Sequence, residues 1–340
     1  ESLMPHMVST EGPALAVADI NHDGLEDVFI GASKTFHSAI FLQTKNGKFT
    51  RVKQPAMELD SMYEDVDASF VDVNNDGNID LVIASGGNEY YGQDIHLKPR
   101  VYLNDGKGNF TRSENAFGDI YATQSCIVPC DFNGDGHPDL FIGGRVVPWQ
   151  YGQIPRSYLL LNDGKGHFND VTEQYAKGLS NIGMVTNAVW ADMDGDGNKD
   201  LIVCGEWMGI YAFINHKTSF TIKQLTDKKG WWNFILPVDI DGDGKLDLVA
   251  GNLGLNAKLQ ASKEQPVRMY YNDFDNNGTK EQILTYYIGK EEIPLANKDE
   301  LQKQIPIIKK KFLYAADFAN ASLKDIFSNE KLQAAQVFTA

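Results

Sequence analysis

The sequence predicts an all-β fold, a β-propeller of four-stranded antiparallel blades, followed by a short C-terminal helical segment. Three observations predict it. A nine-residue acidic motif occurs five times, a short apolar run follows each copy at once, and two further strand-like runs separated by a turn follow in the best-defined repeats. Four short strands per repeat, with turn residues between them, are typical of a propeller blade. Because one such unit cannot bury both of its faces, neighbouring units must stack.

The acidic motif is clearest in residues 192–200. Carboxylates stand at positions 1, 3, 5 and 9, and Gly197 at position 6 permits the positive φ that folds these side chains inward. A hard cation such as Ca²⁺ takes about six to eight oxygen ligands, which these side chains and the carbonyl of position 7 can supply. The following run, residues 201–203, is short and apolar, as expected of a buried strand.

The motif allows two other interpretations. An EF-hand needs a glutamate at position 12 and flanking helices. Here the flanks look like strands, and position 12 is Ile30, Ile83, Ile142, Val203 or Ala250. The other alternative is a set of Asx-rich hairpin turns that bind no metal. Five copies with aspartate always at position 9 favour calcium over both.

We expect each of the five loops to hold one Ca²⁺. The expected ligand residues at positions 1, 3, 5, 7 and 9 are Asp19, Asn21, Asp23, Leu25, Asp27, Asp72, Asn74, Asp76, Asn78, Asp80, Asp131, Asn133, Asp135, His137, Asp139, Asp192, Asp194, Asp196, Asn198, Asp200, Asp239, Asp241, Asp243, Lys245 and Asp247. Position 7 contributes through its backbone carbonyl, so its side chain is free to vary.

A sixth acidic loop carries Asp273, Asp275, Asn277, Thr279 and Glu281 at the same positions. Residues 271–273 align with residues 103–105, which begin the turn between the third and fourth strands of the second blade. We therefore interpret the sixth loop as the corresponding turn of the fifth blade. It is either an additional cation site or a plain turn.

Composition limits the function classes. The formal net charge is −15, and most of the acidic excess lies in the loops. No basic stripe remains for a phosphate backbone, so we predict no nucleic-acid partner. Cys126, Cys130 and Cys204 are interpreted as small buried residues. No apolar run approaches the length of a membrane-spanning segment.

The chain divides into two parts. Residues 1–293 are predicted to form about five blades, which we expect to be an incomplete ring, and residues 294–340 a helical insertion or cap leading into a further strand. Residues 1–6 do not have the features of a signal peptide, so we expect any export signal or lipid anchor to lie outside this chain. Calcium loops of this type suit millimolar calcium, which favours a location outside the cytoplasm.

A ligand-binding surface is expected on the rim opposite the calcium loops. If the strands run up and down, that rim carries the longer connections, which are rich in aromatic residues. Such loops on a rigid scaffold suit recognition of a sugar or a peptide. The candidate ligand-binding residues are Tyr90, Tyr91, Arg145, Trp149, Glu206, Trp207 and Trp232. The alternative is that these aromatic side chains pack between blades.

The five loops, each with an apolar strand after it, resemble the FG-GAP/VCBS repeat family, which includes the propeller of integrin α subunits. The segments 12–19, 205–207, 230–232 and 251–256 resemble long secreted or lipid-anchored surface proteins of Bacteroidetes. The resemblance implies a calcium-loaded propeller outside the cell or at the outer-membrane surface, and it assigns the ligand roles to the loop positions named above. It implies no particular activity, because this repeat is a scaffold.

Three functions remain open. We favour a non-catalytic binding or adhesion module whose ligand is a glycan or a protein. A second possibility is a structural subunit of an outer-membrane assembly, with the helical segment as its contact. The third is a carbohydrate-active enzyme similar to polysaccharide lyases, with Arg145, His96 and Tyr91 as candidates. The chain contains no metalloprotease helix motif, nucleophile elbow or phosphate loop.

Overall fold

A computed structural model describes residues 3–254 and 256–340, which form five four-stranded antiparallel sheets. Glu1, Ser2 and Leu255 lie outside the described residues. The predictions made for segments 1–6 and 251–256 are therefore untested at these three residues.

Sheets one, two and three each contain four strands in chain order. Sheet one consists of β1 (Leu15–Ala18), β2 (Asp27–Ile30), β3 (Ala39–Gln43) and β4 (Phe49–Val52). Sheet two consists of β5 (Asp65–Val71), β6 (Asp80–Ser85), β7 (Arg100–Asn104) and β8 (Phe110–Ser113). Sheet three consists of β9 (Thr123–Cys130), β10 (Asp139–Val146), β11 (Tyr158–Asn162) and β12 (Phe168–Asp170). In each sheet the acidic loop joins the first strand to the second.

Sheet four contains one complete blade and the start of the next. Its strands are β13 (Met184–Ala191), β14 (Asp200–Asn215), β15 (Phe220–Val238) and β16 (Asp247–Asn252). The backbone N–H of Asn215 donates to the carboxylate of Asp200 at 2.8 Å, so the two ends of β14 meet and this strand folds back on itself. Trp207 lies near its middle with a φ of 60°. The long strand β15 pairs first with β14 and then, from Trp232 onward, with β16.

Sheet five has the order β19-β18-β17-β20. Its strands are β17 (Arg268–Asn272), β18 (Glu281–Ile288), β19 (Glu291–Pro294) and β20 (Gln336–Thr339). The sixth acidic loop joins β17 to β18, and in the described part of the chain these strands pair with β19 and β20 instead of β16. The interpretation of this loop as a turn of the fifth blade is therefore wrong. It joins two paired strands of a separate sheet, as the other five loops join theirs.

The helices are short and lie mostly between β19 and β20. They are α1 (Pro55–Glu58), α2 (Thr172–Tyr175), α3 (Lys298–Gln304), α4 (Ile307–Lys311), α5 (Ala315–Ala319), α6 (Leu323–Phe327) and α7 (Asn329–Ala334). A capping box begins α3, because Asn297 and Glu300 each accept the other's backbone N–H. Leu301, Ile305 and Ile308 pack around Phe274 of the sixth loop. The helical segment thus covers that loop.

Successive sheets stack through their first strands: β1 lies against β5, β5 against β9, and β9 against β13. One side-chain amide joins each of sheets two, three and four to the sheet before it. It stands at the end of the third strand in sheets two and three and at the end of β14 in sheet four. The amide donors and carbonyl acceptors are Asn104 to Ile20 at 2.7 Å, Asn162 to Val73 at 2.9 Å and Asn215 to Phe132 at 2.7 Å. In a propeller, the blades are arranged about an axis so that their first strands are neighbours. The all-β class and the propeller-like stacking are confirmed.

The core lies between the sheets. Trp190 stacks on Phe132 and donates its indole N–H to the carbonyl of Val128 at 3.1 Å. Cys126 and Cys204 are buried and Cys130 is half-buried, all as free thiols. The interpretation of the cysteines as small buried residues is therefore confirmed for Cys126 and Cys204.

Asp67, between sheets two and three, predicts a pH-dependent stability. Its carboxylate accepts the N–H of Ile127 at 2.8 Å, and burial raises the pKa of Asp67 to about 6. Since this folded-state pKa exceeds the unfolded value of about 4, ionisation destabilises the fold as pH rises between these values. We expect Asp67→Asn to raise the free energy of unfolding by roughly 2–3 kcal/mol at pH 8 and to change it little at pH 4.

Urea unfolding at the two pH values measures this effect. Asp119→Asn is the matched control, because the Asp119 side chain is 86% exposed. An equal gain for Asp67→Asn at both pH values, or none at pH 8, would contradict the assigned pKa.

Candidate metal centres and the aromatic rim

All six acidic loops share one geometry. The carboxylate at position 1 accepts the N–H of the glycine at position 6 at 2.9 Å in every copy. These glycines have φ between 82° and 89°, a conformation that a Cβ disfavours. The side-chain oxygen of position 5 accepts the N–H of position 7 at 2.7–2.9 Å. The six loops therefore share one turn, held in place by their own acidic and amide side chains.

Position 9 ties the loop to the sheet. In the first four loops one carboxylate oxygen accepts the N–H of position 2, and the other accepts the N–H at the end of the third strand. The position-9 aspartates Asp27, Asp80, Asp139 and Asp200 are fully buried. Burial, with nearby carboxylates adding to it, raises the pKa of Asp80 to about 6 and that of Asp139 to about 7. Clustered carboxylates of this kind are stabilised in their ionised form by a nearby cation.

The residues present fit a hard divalent cation. Asp72 Oδ1, at position 1 of the second loop, is buried and has no hydrogen-bond partner among the described residues. Buried polar atoms are rarely left unpartnered, and a bound cation would satisfy this one. Carboxylate, amide and carbonyl oxygens are the ligands that Ca²⁺ prefers. Candidate ligand oxygens lie within 4.8 Å of one another in Asp192, Asp194 and Asp196, in Asp239, Asp241 and Asp247, and in Asp273, Asp275 and Glu281.

The sixth loop has the same bonds but a different neighbour. Glu281 at position 9 accepts the N–H of Phe274 at 2.9 Å, and burial raises the pKa of Glu281 to about 7. From the helical segment, Lys331 Nζ donates to the carbonyl of Asp273 at 2.5 Å and to the side chain of Asn276. The loop thus combines the geometry of a cation site with a competing positive charge at its edge.

On the rim with the long connections, Tyr91 and Trp149 form an exposed aromatic platform. Their ring centroids are 4.4 Å apart, and the residues are 62% and 59% exposed. Trp149 has a φ of 65°, a left-handed conformation that costs about 1–3 kcal/mol for a residue other than glycine. Buried Asn88 holds it there, accepting the backbone N–H of Trp149 on its side chain at 2.9 Å and the indole N–H on its carbonyl at 2.8 Å. The platform is therefore oriented before any ligand arrives.

Three other candidates from the rim are buried. Arg145, Glu206 and Trp207 are 2%, 3% and 4% exposed. Two guanidinium nitrogens of Arg145 donate to Glu206 at 2.8 and 3.1 Å, and the hydroxyl of Tyr151 donates to Glu206 at 2.6 Å. Trp207 donates its indole N–H to Tyr151 and packs in the core with Trp231 and Phe338. Trp207 therefore packs between sheets, as the alternative interpretation of the aromatic residues proposed.

The remaining candidates have local partners. The ring of Tyr90 stacks on His96 at 4.4 Å, and Trp232 is half-buried and donates to the carbonyl of Lys228 at 3.3 Å. The enzyme candidates Arg145, His96 and Tyr91 are not brought together in these contacts, since Arg145 binds glutamates, His96 binds Asp94 and Tyr91 stacks on Trp149. Sequence analysis missed Asn88, Tyr151 and Glu11. Their roles depend on partners far along the chain, and no local motif marks them.

The stacked sheets and their acidic hairpins define a propeller-like repeat protein. The sequence profile of the FG-GAP-like repeat matches residues 19–83, 72–142, 151–203 and 192–250, which is more than half of the chain. This protein belongs to the FG-GAP-like repeat family. The resemblance to surface proteins of Bacteroidetes stays a prediction.

The chain is similar to integrin alpha-4 of Xenopus laevis, with 20% identity over 323 residues. That match covers 88% of this chain and 29% of the relative, so this chain spans less than a third of the integrin's length. No helix among the described residues is long and apolar enough to cross a membrane.

Two solved structures show weak likeness. The Tc holotoxin pore of Photorhabdus luminescens has 19% identity and a TM-score of 0.39, covering 71% of this chain and 11% of its own. The fructofuranosidase of Schwanniomyces occidentalis complexed with fructose has 7% identity and a TM-score of 0.39, covering 85% and 78%. Both TM-scores are low, and neither likeness supports a functional inference.

Proposed function

We propose that this protein is a non-catalytic, calcium-stabilised binding module that works outside the cell or at the outer-membrane surface. The observation that carries the proposal is the aromatic platform, Tyr91 and Trp149, which stays largely exposed although Asn88 holds Trp149 in place on a strained backbone. Strain of this kind is found at binding sites, where the surrounding structure keeps a side chain ready for its ligand. Similarity to an integrin α chain supports an extracellular location.

The role of calcium is to stabilise the stacked sheets. About five Ca²⁺ ions bind in the acidic loops at the ligand positions named above, and the sixth loop is a further candidate. Each ion neutralises carboxylates that otherwise repel one another and fixes the hairpin between the first and second strands. Bound calcium would thereby offset much of the net charge of −15.

The ligand of the platform is a glycan or a protein side chain that packs against flat rings. Rigid aromatic side chains give large contact areas and lose little conformational entropy on binding. The two rings are tilted by 37°, so together they present a shallow surface instead of a closed pocket. This shape suits the end or edge of a larger ligand.

A glycan and peptide array probed with the calcium-loaded protein tests the platform. We expect Trp149→Ala and Tyr91→Ala each to weaken binding of the strongest ligand by at least about tenfold, since exposed aromatic anchors behave as hot spots. Tyr314→Ala is the matched control, because Tyr314 is 66% exposed but lies in the helical segment. Unchanged binding by both platform variants would refute the proposal.

The same control tests the alternative of a structural subunit of an outer-membrane assembly. Leu313 and Tyr314 are 74% and 66% exposed on the helical segment. Two neighbouring apolar side chains of this size on the surface favour a protein contact there. If the array selects a protein ligand that is lost with Tyr314→Ala and retained with Trp149→Ala, the helical segment is the contact.

A further inference from the structure

A cavity of about 610 Å³ lies among the first strands of successive blades. Its lining includes Val66, Ser125, Thr186 and Asn233, each from a different blade. Each of the four stands six residues before position 1 of its acidic loop. Each is also skipped in the pairing of its strand, so every one occupies a β-bulge. Because a bulge changes the direction of a side chain, these four equivalent β-bulges shape the cavity.

A charged cluster forms one side of this axial cavity. Arg145 donates through Nε to Glu11 at 2.6 Å and through both terminal nitrogens to Glu206. His6 Nε2 lies 3.0 Å from Glu206, whose oxygens also accept from Tyr151. Against the effect of burial, Arg145 lowers the pKa of Glu206 to about 2. Glu206 and Arg145 thus largely neutralise each other's charge and satisfy each other's hydrogen bonds.

The cluster retains an excess of acceptors. It contains two carboxylates, one guanidinium and the imidazole of His6, whose Nε2 accepts from Arg145 at 2.9 Å. The side chain of Glu11 is 24% exposed, with Oε1 bound by Arg145. Ser125 and Thr186 donate their hydroxyl protons to the carbonyls of Gly143 and Trp232, which leaves oxygen lone pairs as acceptors. The rings of His6 and Trp231 also line the cavity, with centroids 6.1 Å apart.

We propose that this axial cavity binds a ligand that ends in a primary ammonium group, such as a lysine side chain or an alkyl diamine. An ammonium has three N–H donors and no acceptor, which complements Glu11, the two hydroxyls and Asn233. The indole of Trp231 also lines the cavity, where an aromatic ring can add a cation–π contact. An anion would meet the excess negative charge, and an apolar ligand would offer no N–H donor to the carboxylate of Glu11.

Isothermal titration calorimetry on the calcium-loaded chain tests the proposal. The probes are 1,5-diaminopentane and the uncharged 1,5-pentanediol. We expect the diamine to bind and the diol not to bind. Glu11→Gln should weaken diamine binding by at least about tenfold, while its amide oxygen can still accept from Arg145 Nε. Asn233→Asp should tighten binding severalfold, and a gain of affinity cannot result from misfolding.

Two controls separate this site from other effects. Glu114→Gln removes a charge from a side chain that is 75% exposed and does not line the cavity, so it should leave binding unchanged. Trp149→Ala should also leave it unchanged, because the aromatic platform is a separate surface. No diamine binding, equal binding of diamine and diol, or equal effects of Glu11→Gln and Glu114→Gln would overturn the proposal.

Discussion

Calcium removal is expected to lower the melting temperature of this protein more than any single substitution does. A ligand that binds only the folded state at about 100 times its Kd adds roughly 2.7 kcal/mol per site. Several proposed sites would act together, and in the first four loops the position-9 carboxylate is buried. Scanning calorimetry in excess calcium and in EGTA measures the difference, which should be well over ten degrees.

A single-site variant assigns the effect to the loops. Asp194→Ala removes a ligand at position 3, where the side chain makes only one weak bond among those described, from the N–H of Asp196 at 3.2 Å. We expect this variant to lose the stabilisation that about one calcium site contributes. In EGTA its melting temperature should stay close to that of the parent. Asp163→Ala is the control, since Asp163 accepts backbone N–H groups in a turn outside the acidic loops. If calcium and EGTA give the parent the same melting temperature, the metal assignment fails.

The second large effect is expected at the asparagine that joins sheets two and three. Asn162 is 3% exposed and donates to the carbonyls of Val73 and Pro138, both at 2.9 Å. Asn162→Ala leaves two buried carbonyls without a donor, and each unsatisfied group costs about 1–3 kcal/mol. We expect a loss of roughly 3–5 kcal/mol in the free energy of unfolding, measured by urea denaturation in calcium.

Asn109→Ala serves as its comparison, because Asn109 is exposed and bonds within its own turn to Asp105. Its cost should stay below about 1 kcal/mol. Asn162→Asp keeps the acceptor oxygens and removes the donor, so it should destabilise the protein nearly as much as alanine does. Equal stabilities of the Asn162→Ala and Asn109→Ala proteins would show that the amide does not join the sheets.

The sequence predicted those features that depend on residues close together in the chain. The turn of each acidic loop is the clearest example, because its acidic side chains lie within nine residues and it carries its own turn glycine. The roles of Asn104, Asn162 and Asn215 were not predicted, since their second acceptor belongs to the preceding sheet, more than eighty residues away. The orientation of Trp149 likewise depends on Asn88, a residue 61 positions earlier.

The sixth loop shows how a local match can mislead. Residues 271–273 resemble the start of a blade's last turn, but the position of β17 is decided by its pairing with β18 and with β20, which comes after the helices. The sequence pattern likewise did not indicate that β15 continues from one blade into the next. In both places tertiary pairing overrode the local pattern.

We expect divalent cations to occupy the acidic hairpins and to hold the stacked sheets together. A long-wavelength anomalous difference map from crystals grown in saturating calcium would locate them. We expect a peak enclosed by positions 1, 3, 5 and 9 of each of the first five loops. Empty loops in such a map would refute calcium binding at the hairpins.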